Sequence, residues 1–427
     1  MRLLIVAFYF PPTGGGGVQR TLKFCKFLPE FGVDVHVLTP EDSKWFARDD
    51  QLLEAIPPAT TVHRCRFLGP RSSFRSDALR GRSRLGRLGV EARYAYQRGL
   101  LPDKAAPWMA TALPAGIGIV RREGIDVVMS SSPPSSAHLV AEAIATATRR
   151  PLVTDFRDSW LDNPHRRYEK AGVRAKRAVI ARMAGSVGRR SSALVAATGS
   201  IAQELGRLHP SAAHKTTVIE NGADFDDFEG LPRTRNERFT IVHAGSFFGH
   251  RTPTTFMLAL QRLLERRPDL RGRVLVRFIG ELRAEHREYG GRLGIGDAWR
   301  EEGFLPYAES VAAQRAADAL LLLIPDAGGR GNAVLSGKVF EYVASRRPVL
   351  AAVPPNGAAA NLIRGIGAGR VVDGDDAEGI SRELEALVDE WLAGGPDDIE
   401  LTDEVRDRLS RRSRARELAR VLQGVVK

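Results

Sequence analysis

Short apolar runs alternate with amphipathic stretches along most of the chain. Residues 2–8, RLLIVAF, form an unbroken apolar run, which is typical of a parallel strand buried on both faces. Residues 18–31 carry apolar side chains at helical spacing, and Gly32 marks a helix end. Residues 33–39 predict a second strand. This order of strand, loop, helix and strand predicts a βαβ unit.

The same alternation continues to the end of the chain and predicts two doubly wound α/β halves. Further strands are predicted at 61–67, 125–131, 151–156, 192–198, 239–245, 274–280, 303–307, 317–325 and 347–353. Helices are predicted at 108–122, 166–191, 254–267, 336–346 and 401–424. We expect 192–198 to be the final strand of the first half. The predicted fold class is therefore α/β, with two Rossmann-like doubly wound domains.

An acidic, glycine-punctuated stretch at 216–230, followed by LPRTRNER, predicts the linker between the halves. The expected domains are an N-terminal domain over 1–230 and a C-terminal domain over 231–400. An amphipathic C-terminal helix within 401–427 is expected to pack back toward the N-terminal domain.

Composition and charge narrow the functional classes. Cys25 and Cys65 lie outside any CxxC pair, which argues against a disulfide framework and a thiolate zinc site. No apolar run approaches the length that spans a bilayer, so a cytoplasmic protein is expected. The net charge of +12 admits nucleic acid, an anionic membrane or an anionic small molecule as partner. Nucleic acid is the least favoured, because no zinc finger, helix-turn-helix or RNP motif occurs.

Residues 71–104 form a basic insertion in which arginines alternate with apolar side chains such as Leu85 and Leu88. One hypothesis is a partly helical flap that contacts an anionic acceptor or membrane, which would place the protein peripherally at the inner membrane face. A solvated surface insertion is the alternative.

Candidate site residues of the first half follow predicted strands. Gly14, Gly15, Gly16 and Gly17 follow the first strand and would let backbone approach a phosphate or sugar. The run is neither GxGxxG, because position 19 is Gln, nor a P-loop. The strand at 151–156 leads into four further candidates: Asp155, Arg157, Asp158 and Trp160. Ligands of parallel sheets bind at this edge, so we expect catalytic groups here. An Asp–Arg pair that caps the next helix is the alternative. His138, on a predicted helix, is interpreted as a packed or surface histidine.

Three loops of the second half are expected at one sheet edge: 245–253, 326–337 and the start of the 336–346 helix, whose N-cap would be Ser336. They offer three cations and one carboxylate: Arg251, Arg330, Lys338 and Glu341. A diphosphate needs cations and backbone donors, and a ribose diol needs a carboxylate. The loops therefore indicate a nucleoside diphosphate site. An ordinary exposed Lys338–Glu341 pair is the alternative. No HExxH, paired metal carboxylates or Cys/His cluster occurs in these loops, so no metal is expected.

Five segments together resemble a known family: FYFPPTGGGGVQR, VTDFRDSW, VIENGAD, IVHAGSFFGHR and SGKVFEYVASRRPVLA. Over nearly its whole length the chain is similar to family 4 glycosyltransferases of the GT-B fold. The resemblance implies two Rossmann-like domains facing a central cleft. It also implies sugar transfer with retention from a nucleotide-sugar substrate, with no cofactor.

The resemblance also assigns site residues and shows departures from the family pattern. The second glutamate of the family's Glu-x7-Glu motif matches Glu341, whereas the first falls on Ala333. The lysine of its diphosphate-binding pair matches Arg251, and the arginine falls on Ser246. Arg157 lies nearest the position of the family's N-domain histidine. The expected donor-binding residues are Gly15, Gly16, Gly17, Gly245, Ser246, Arg251, Arg330, Gly331, Asn332, Lys338 and Glu341. The expected catalytic residues are Arg157, Asp158, Arg251 and Lys338, and the expected acceptor-binding residues are Gly14, Asp155 and Trp160.

The function that the resemblance implies is a metal-independent, retaining glycosyltransferase. It would move a sugar from a nucleoside-diphosphate sugar to a hydroxyl acceptor, with a lipid-linked polysaccharide precursor as the first candidate. Two alternatives stay open: a nucleotide-sugar epimerase of the same fold, and a catalytically inactive sugar-nucleotide-binding protein. Ala333 and Ser246 support the second alternative.

Overall fold

The computed structural model describes residues 1–45, 47–71, 83–160, 171–233, 235–247, 249–395 and 398–426, with only the backbone of 171–174. These residues form two compact units. The first contains the described residues up to Glu220 and again from Arg414, and the second contains Asn221–Ser413.

The first unit is built on a sheet of seven parallel strands in the order β3-β2-β1-β4-β5-β6-β7. The strands are β1 Arg2–Ala7, β2 Asp34–Pro40, β3 Thr61–Cys65, β4 Val127–Ser132, β5 Leu152–Phe156, β6 Ala193–Ala196 and β7 Thr216–Val218. Its helices are α1 Gly16–Phe27, α2 Arg84–Gly99, α3 Met109–Glu123, α4 Ser136–Thr148, α5 Ala171–Arg190 and α6 Gly199–Leu208. β1, β4 and β5 are almost wholly buried, as their apolar runs predict.

The second unit has six parallel strands in the order β10-β9-β8-β11-β12-β13. The strands are β8 Phe239–Ala244, β9 Val274–Ile279, β10 Trp299–Gly303, β11 Ala319–Leu323, β12 Val349–Ala352 and β13 Gly369–Val372. The helices are α7 Thr254–Arg266, α8 Ala284–Arg292, α9 Tyr307–Ala316, α10 Gly337–Ala344, α11 Ala358–Gly365, α12 Ala377–Leu392, α13 Asp403–Leu409 and α14 Arg411–Val425, the last of which continues into the first unit.

The strand order of each sheet reverses at its first strand. β1 pairs with both β2 and β4, and β8 pairs with both β9 and β11. In open parallel sheets this reversal opens a crevice at the carboxyl ends of the strands, where ligands bind. The glycine loop follows β1, and Gly245 follows β8, so candidate residues stand at both reversal points.

Three strands differ from the sequence prediction. β7 extends the first sheet beyond the strand expected to be its last, and β13 was not predicted. The strand predicted at 303–307 is wrong for most of its length, because β10 ends at Gly303 and α9 begins at Tyr307. β7, β10 and β13 contain no fully buried residue, so they lack the apolar run that marks a central strand.

The helix predicted over 401–424 is broken at Ser410. α13 ends and α14 begins there, because Ala223 pairs with the backbone at this point. Its N–H donates to the Leu409 carbonyl (2.9 Å), and its carbonyl accepts from the Arg411 N–H (2.8 Å). The division after Glu220 therefore falls earlier than the predicted boundary at residue 230, since 221–230 pack in the second unit.

The basic insertion is helical in part. α2 covers Arg84–Gly99, whereas residues 72–82 lie outside the described residues. Among the helices that the structure describes, none is long and apolar enough to cross a membrane.

Candidate functional site

Gly245 shapes the end of β8. Its φ of +139° is a conformation that side-chain-bearing residues rarely adopt. A Cβ placed here would lie 2.0 Å from Lys338 Nζ. Only glycine at this position therefore leaves room for the lysine to reach the strand end.

Lys338 lies in the first turn of α10, and its ammonium group is buried. The Nζ atom has essentially no accessible surface and no hydrogen-bond partner among the described residues. Burial holds the pKa of Lys338 well below its ordinary value, the charge of Arg251 lowers it further, and Glu341 opposes both. A buried amine without a partner is costly, and a bound anion would satisfy it.

Arg251 adds a second cation to the same region. Its side chain is 7% exposed, and burial lowers the pKa of its guanidinium group. Two cations that repel each other at a strand end attract a group with more than one negative charge. This is the pairing of Arg251 and Lys338 that the sequence predicts.

His243 and Tyr342 pack near Lys338 and Arg251, and neither was predicted as a site residue. His243 Nδ1 lies 2.8 Å from the Leu321 carbonyl, and its ring stacks on Phe247. Burial and the nearby Lys338 charge hold the pKa of His243 well below its ordinary value. The Tyr342 hydroxyl accepts a hydrogen bond from the Ala244 N–H (2.8 Å), which ties α10 to β8. Nothing in the local pattern around His243 or Tyr342 indicates these long-range contacts.

Glu341 lies one residue before Tyr342 on α10 and is half-buried. Its charge and that of Asp227 help raise the pKa of Tyr307 well above its ordinary value, although burial is the main cause. The Tyr307 hydroxyl donates to the Asp227 carboxylate (2.8 Å). Glu341 is therefore close to a tyrosine and a second carboxylate, on the same helix as Lys338.

The other donor-side candidates have structural partners. Arg330 Nε donates to the Ala327 carbonyl (2.9 Å), and Asn332 Nδ2 to the Gly329 carbonyl (3.1 Å). A Cβ on Gly331 would lie 2.1 Å from the Pro325 carbonyl oxygen. These contacts hold the 326–333 loop in one conformation.

Two serines also depart from expectation. Ser336 occupies the N-cap position of α10, but its side chain makes no capping hydrogen bond. Its Oγ is buried and has no hydrogen-bond partner within the part of the chain that the structure describes. Ser246 Oγ accepts a hydrogen bond from the Glu281 N–H (3.1 Å), so it joins two loops.

The glycine loop of the first unit leads directly into a helix. Gly14 is buried, and its N–H donates to the Ala47 carbonyl (3.0 Å). Gly15 has a φ of +91°, and α1 begins at Gly16. The Gly17 carbonyl accepts a hydrogen bond from the Arg157 guanidinium. The structure thus brings Arg157 to the glycine loop, while the nearby Asp158 is exposed.

Asp155 and Trp160 do not suit the predicted acceptor contacts. The Asp155 carboxylate is fully buried and accepts from Arg20 (2.8 Å) and Ser131 (2.8 Å). Its partner is thus Arg20, not the neighbouring Arg157 of the capping alternative. Trp160 is 5% exposed and stacks on His138. Asp155 and Trp160 therefore act in the interior, and His138 is a packed histidine, as expected.

Within the described ranges, no group of three or more His, Cys, Asp or Glu side chains could hold a metal ion.

Comparisons with known proteins bear on this arrangement. Residues 15–222 match the family model of the glycosyl transferase 4-like domain. No curated protein sequence matches the chain. Anabaena HepE, solved with UDP and glucose, is 15% identical with a TM-score of 0.63, over 99% of this chain and 100% of that chain.

Two further solved structures share the fold. WaaG, a glycosyltransferase involved in lipopolysaccharide biosynthesis, is 17% identical with a TM-score of 0.54, over 98% of this chain and 95% of its own. An enzyme from Listeria monocytogenes, described as a putative UDP-N-acetylglucosamine 2-epimerase, is 12% identical with a TM-score of 0.53, over 99% and 96%. At these identities the likeness shows the fold alone.

The family match and the fold agree. The two parallel sheets are those of the GT-B neighbours, and the matched residues include Gly15, Gly16, Gly17 and Arg157. The chain has the two-domain GT-B fold of these neighbours, and its residues 15–222 match the model of the glycosyl transferase 4-like domain.

Proposed function

We propose that the second unit binds the diphosphate of a nucleoside-diphosphate sugar where β8 ends and α10 begins. The observation that carries this proposal is the Lys338 ammonium group, which is buried against Gly245, has no hydrogen-bond partner in the described part of the chain and lies near Arg251. Such a cation is unfavourable in the free protein. A diphosphate would supply the missing acceptors and neutralise both charges.

The same contacts would serve the chemistry of transfer. When the bond between sugar and diphosphate breaks, negative charge grows on the leaving phosphate oxygen. Lys338, Arg251 and loop N–H groups stabilise that charge, which is the largest contribution in many enzymes. The acceptor hydroxyl attacks from the face that the diphosphate leaves, and its proton passes to the departing phosphate oxygen. The anomeric configuration is retained, and no metal takes part.

Glu341 is assigned to the ribose hydroxyls, as the acidic residue is in dinucleotide folds. Ala333 cannot supply the sugar contact that a glutamate makes in the family pattern. Gly331, Asn332 and Arg330 would then contact the donor mainly through the backbone of their loop, since the two polar side chains are already bonded within it.

The first unit is assigned the groups around the donor sugar and the acceptor. Gly15–Gly17 present backbone N–H groups at the start of α1, and Arg157 and Asp158 lie at the end of β5. HepE was solved with UDP-glucose and WaaG takes part in lipopolysaccharide biosynthesis, which supports a UDP-sugar donor and a lipid-linked polysaccharide precursor as acceptor. Peripheral attachment at the inner face of an anionic membrane belongs to the same proposal.

A ligand screen followed by kinetics tests the proposal. Nucleoside diphosphates and their sugars are screened by thermal shift, because a ligand of the native state raises the melting temperature. The rise in melting temperature caused by the best donor should then be lost in Lys338→Ala and in Glu341→Ala. Turnover should fall by about 100-fold or more in Lys338→Ala, by analogy with removal of one oxyanion donor. Arg271→Ala and Glu288→Ala, two exposed charges of the second unit, serve as controls.

The outcomes separate the alternatives. Near-normal kinetics in both Lys338→Ala and Glu341→Ala would refute the site. Conversion of the donor sugar in the absence of any acceptor would identify an epimerase. Donor binding without hydrolysis or transfer would identify an inactive binding protein. Full activity after chelator treatment is expected if no metal takes part.

A further inference from the structure

Helix α2 directs an apolar stripe into solvent. Leu85, Leu88 and Tyr96 are 81%, 65% and 56% exposed. With Ala92 they occupy a sector of about 80° on the helix at 100° per residue. Val90 is the residue of α2 that is buried, and it lies on the opposite side. The helix therefore rests on the protein by one face and leaves a second apolar face uncovered.

Arginines flank this stripe on both sides. Helical spacing places Arg84 beside one edge of the stripe and Arg93 beside the other, while Arg87 and Arg98 lie further round the helix. Glu91, the acidic residue of the helix, lies between Arg84 and Arg98, and the four arginines of α2 outnumber it. An apolar stripe bordered by guanidinium groups is the pattern of a helix that lies in a membrane interface.

The ends of α2 are held in place. At the start, the Ser83 hydroxyl accepts a hydrogen bond from the Gly86 N–H (3.3 Å). At the end, Lys176 of α5 donates to the carbonyls of Arg98 (3.0 Å) and Leu100 (2.7 Å). The exposed face is thus presented by a capped helix that is tied to a neighbouring helix.

We propose that α2 docks the protein on the surface of an anionic bilayer. Leu85 and Leu88 enter the boundary between headgroups and acyl chains, and Tyr96 lies at headgroup level with its hydroxyl in water. The arginines of α2 bind lipid phosphates, because basic side chains are attracted to an anionic surface. Helix α2 would thus be the membrane contact of the proposed function. The link between docking and a lipid-linked acceptor rests on that proposed function.

Vesicle flotation of the full chain without donor tests this inference. The wild type should bind phosphatidylcholine vesicles that contain phosphatidylglycerol, and bind pure phosphatidylcholine weakly. Leu85→Gln/Leu88→Gln and Arg84→Gln/Arg87→Gln should each lower the partition coefficient about tenfold. Added salt should remove most of the arginine contribution and spare that of the leucines.

Matched controls lie elsewhere on the first unit. Leu53→Gln/Leu68→Gln removes two exposed leucines, and Arg121→Gln/Arg150→Gln removes two exposed arginines. Binding should be nearly unchanged in both. Circular dichroism and thermal melting establish that all four double variants are folded.

Three results would overturn the docking surface. The first is wild-type protein that does not bind anionic vesicles. The second is α2 variants that bind vesicles as well as the control variants do. The third is binding that depends on the arginines alone and is competed equally by polyglutamate, which would indicate an acidic protein partner. Thermal shift with the nucleoside diphosphate is measured on the same variants. If the wild type shows no thermal shift with the nucleoside diphosphate, that result counts against the proposed function and does not affect the vesicle result.

Discussion

Burial of the Lys338 amine is unfavourable for stability, and the proposed function gives that amine a role in binding. Its pKa is lowered in the folded protein, so the unfolded chain binds more protons over the range between the lowered value and 10.5, the ordinary value. Stability therefore rises with pH through that range. Below the lowered pKa, the full cost of burying the charged amine remains.

We predict that Lys338→Met stabilises the ligand-free protein at pH 7, because it removes that cost. The melting temperature should rise by about 2 °C or more, and the gain over the wild type should shrink as the pH approaches 10.5. The stabilisation by nucleoside diphosphate should be lost in the same variant. Differential scanning calorimetry across pH measures both effects.

Arg271→Met, which removes an exposed arginine, is the control and should change the melting temperature little at any pH. A lower melting temperature in Lys338→Met at pH 7 would contradict the prediction. It would mean that the amine makes favourable contacts in the free protein.

At the scale of elements, the buried pair of Arg20 and Asp155 joins α1 to β5. Arg20 also donates to the Ile219 (2.8 Å) and Glu220 (2.9 Å) carbonyls, so one guanidinium connects a helix, a strand and the segment after β7. Both side chains are at most 1% exposed. A buried pair is weak evidence of net stabilisation, but loss of one partner leaves an uncompensated charge.

Asp155→Asn should therefore lower the free energy of unfolding of the first unit by about 3–5 kcal/mol. Asp50→Asn, at the exposed pair with Arg48, should change it by about 1 kcal/mol or less. Denaturant unfolding measures both variants. Adding Arg20→Met to Asp155→Asn should cost less than the sum of the two single changes, because the partners are coupled. A loss below about 1 kcal/mol in Asp155→Asn would show that Arg20 finds other acceptors.

At the scale of the whole molecule, the chain begins in the first unit, passes through the second unit and returns to the first unit at its end. α14 places Leu418 and Leu422 among the buried residues, and the structure assigns them to the first unit. Arg414, also in α14, pairs with Glu220 (3.4 Å). Leu409, shortly before this helix, is packed in the core of the second unit.

Leu418→Ala should loosen the first unit and leave the second intact, whereas Leu409→Ala should do the reverse. Each change removes a buried side chain at a cost of about 2–5 kcal/mol. Amide hydrogen exchange read by mass spectrometry reports protection separately for peptides of each unit. Loss of protection confined to second-unit peptides in Leu418→Ala would contradict the assignment of α14.

Most of the fold could be predicted because its main elements are encoded locally. The apolar runs of β1, β5 and β8 and the glycines after them indicate buried parallel strands with loops at their ends. The spacing of Lys338 and Glu341 placed both on the first turns of one helix. β7, β10 and β13 escaped prediction, because partly exposed edge strands need little apolar surface.

The sequence by itself thus determined the two α/β halves and the helix that carries both Lys338 and Glu341, since both depend on neighbours along the chain. The tertiary structure alone decided what the polar side chains contact. It buried the Lys338 amine against Gly245, and it joined Arg20 to Asp155 across 135 residues. It also broke the last helix where Ala223 pairs with Leu409 and Arg411. These contacts follow from packing between distant segments, which no local pattern encodes.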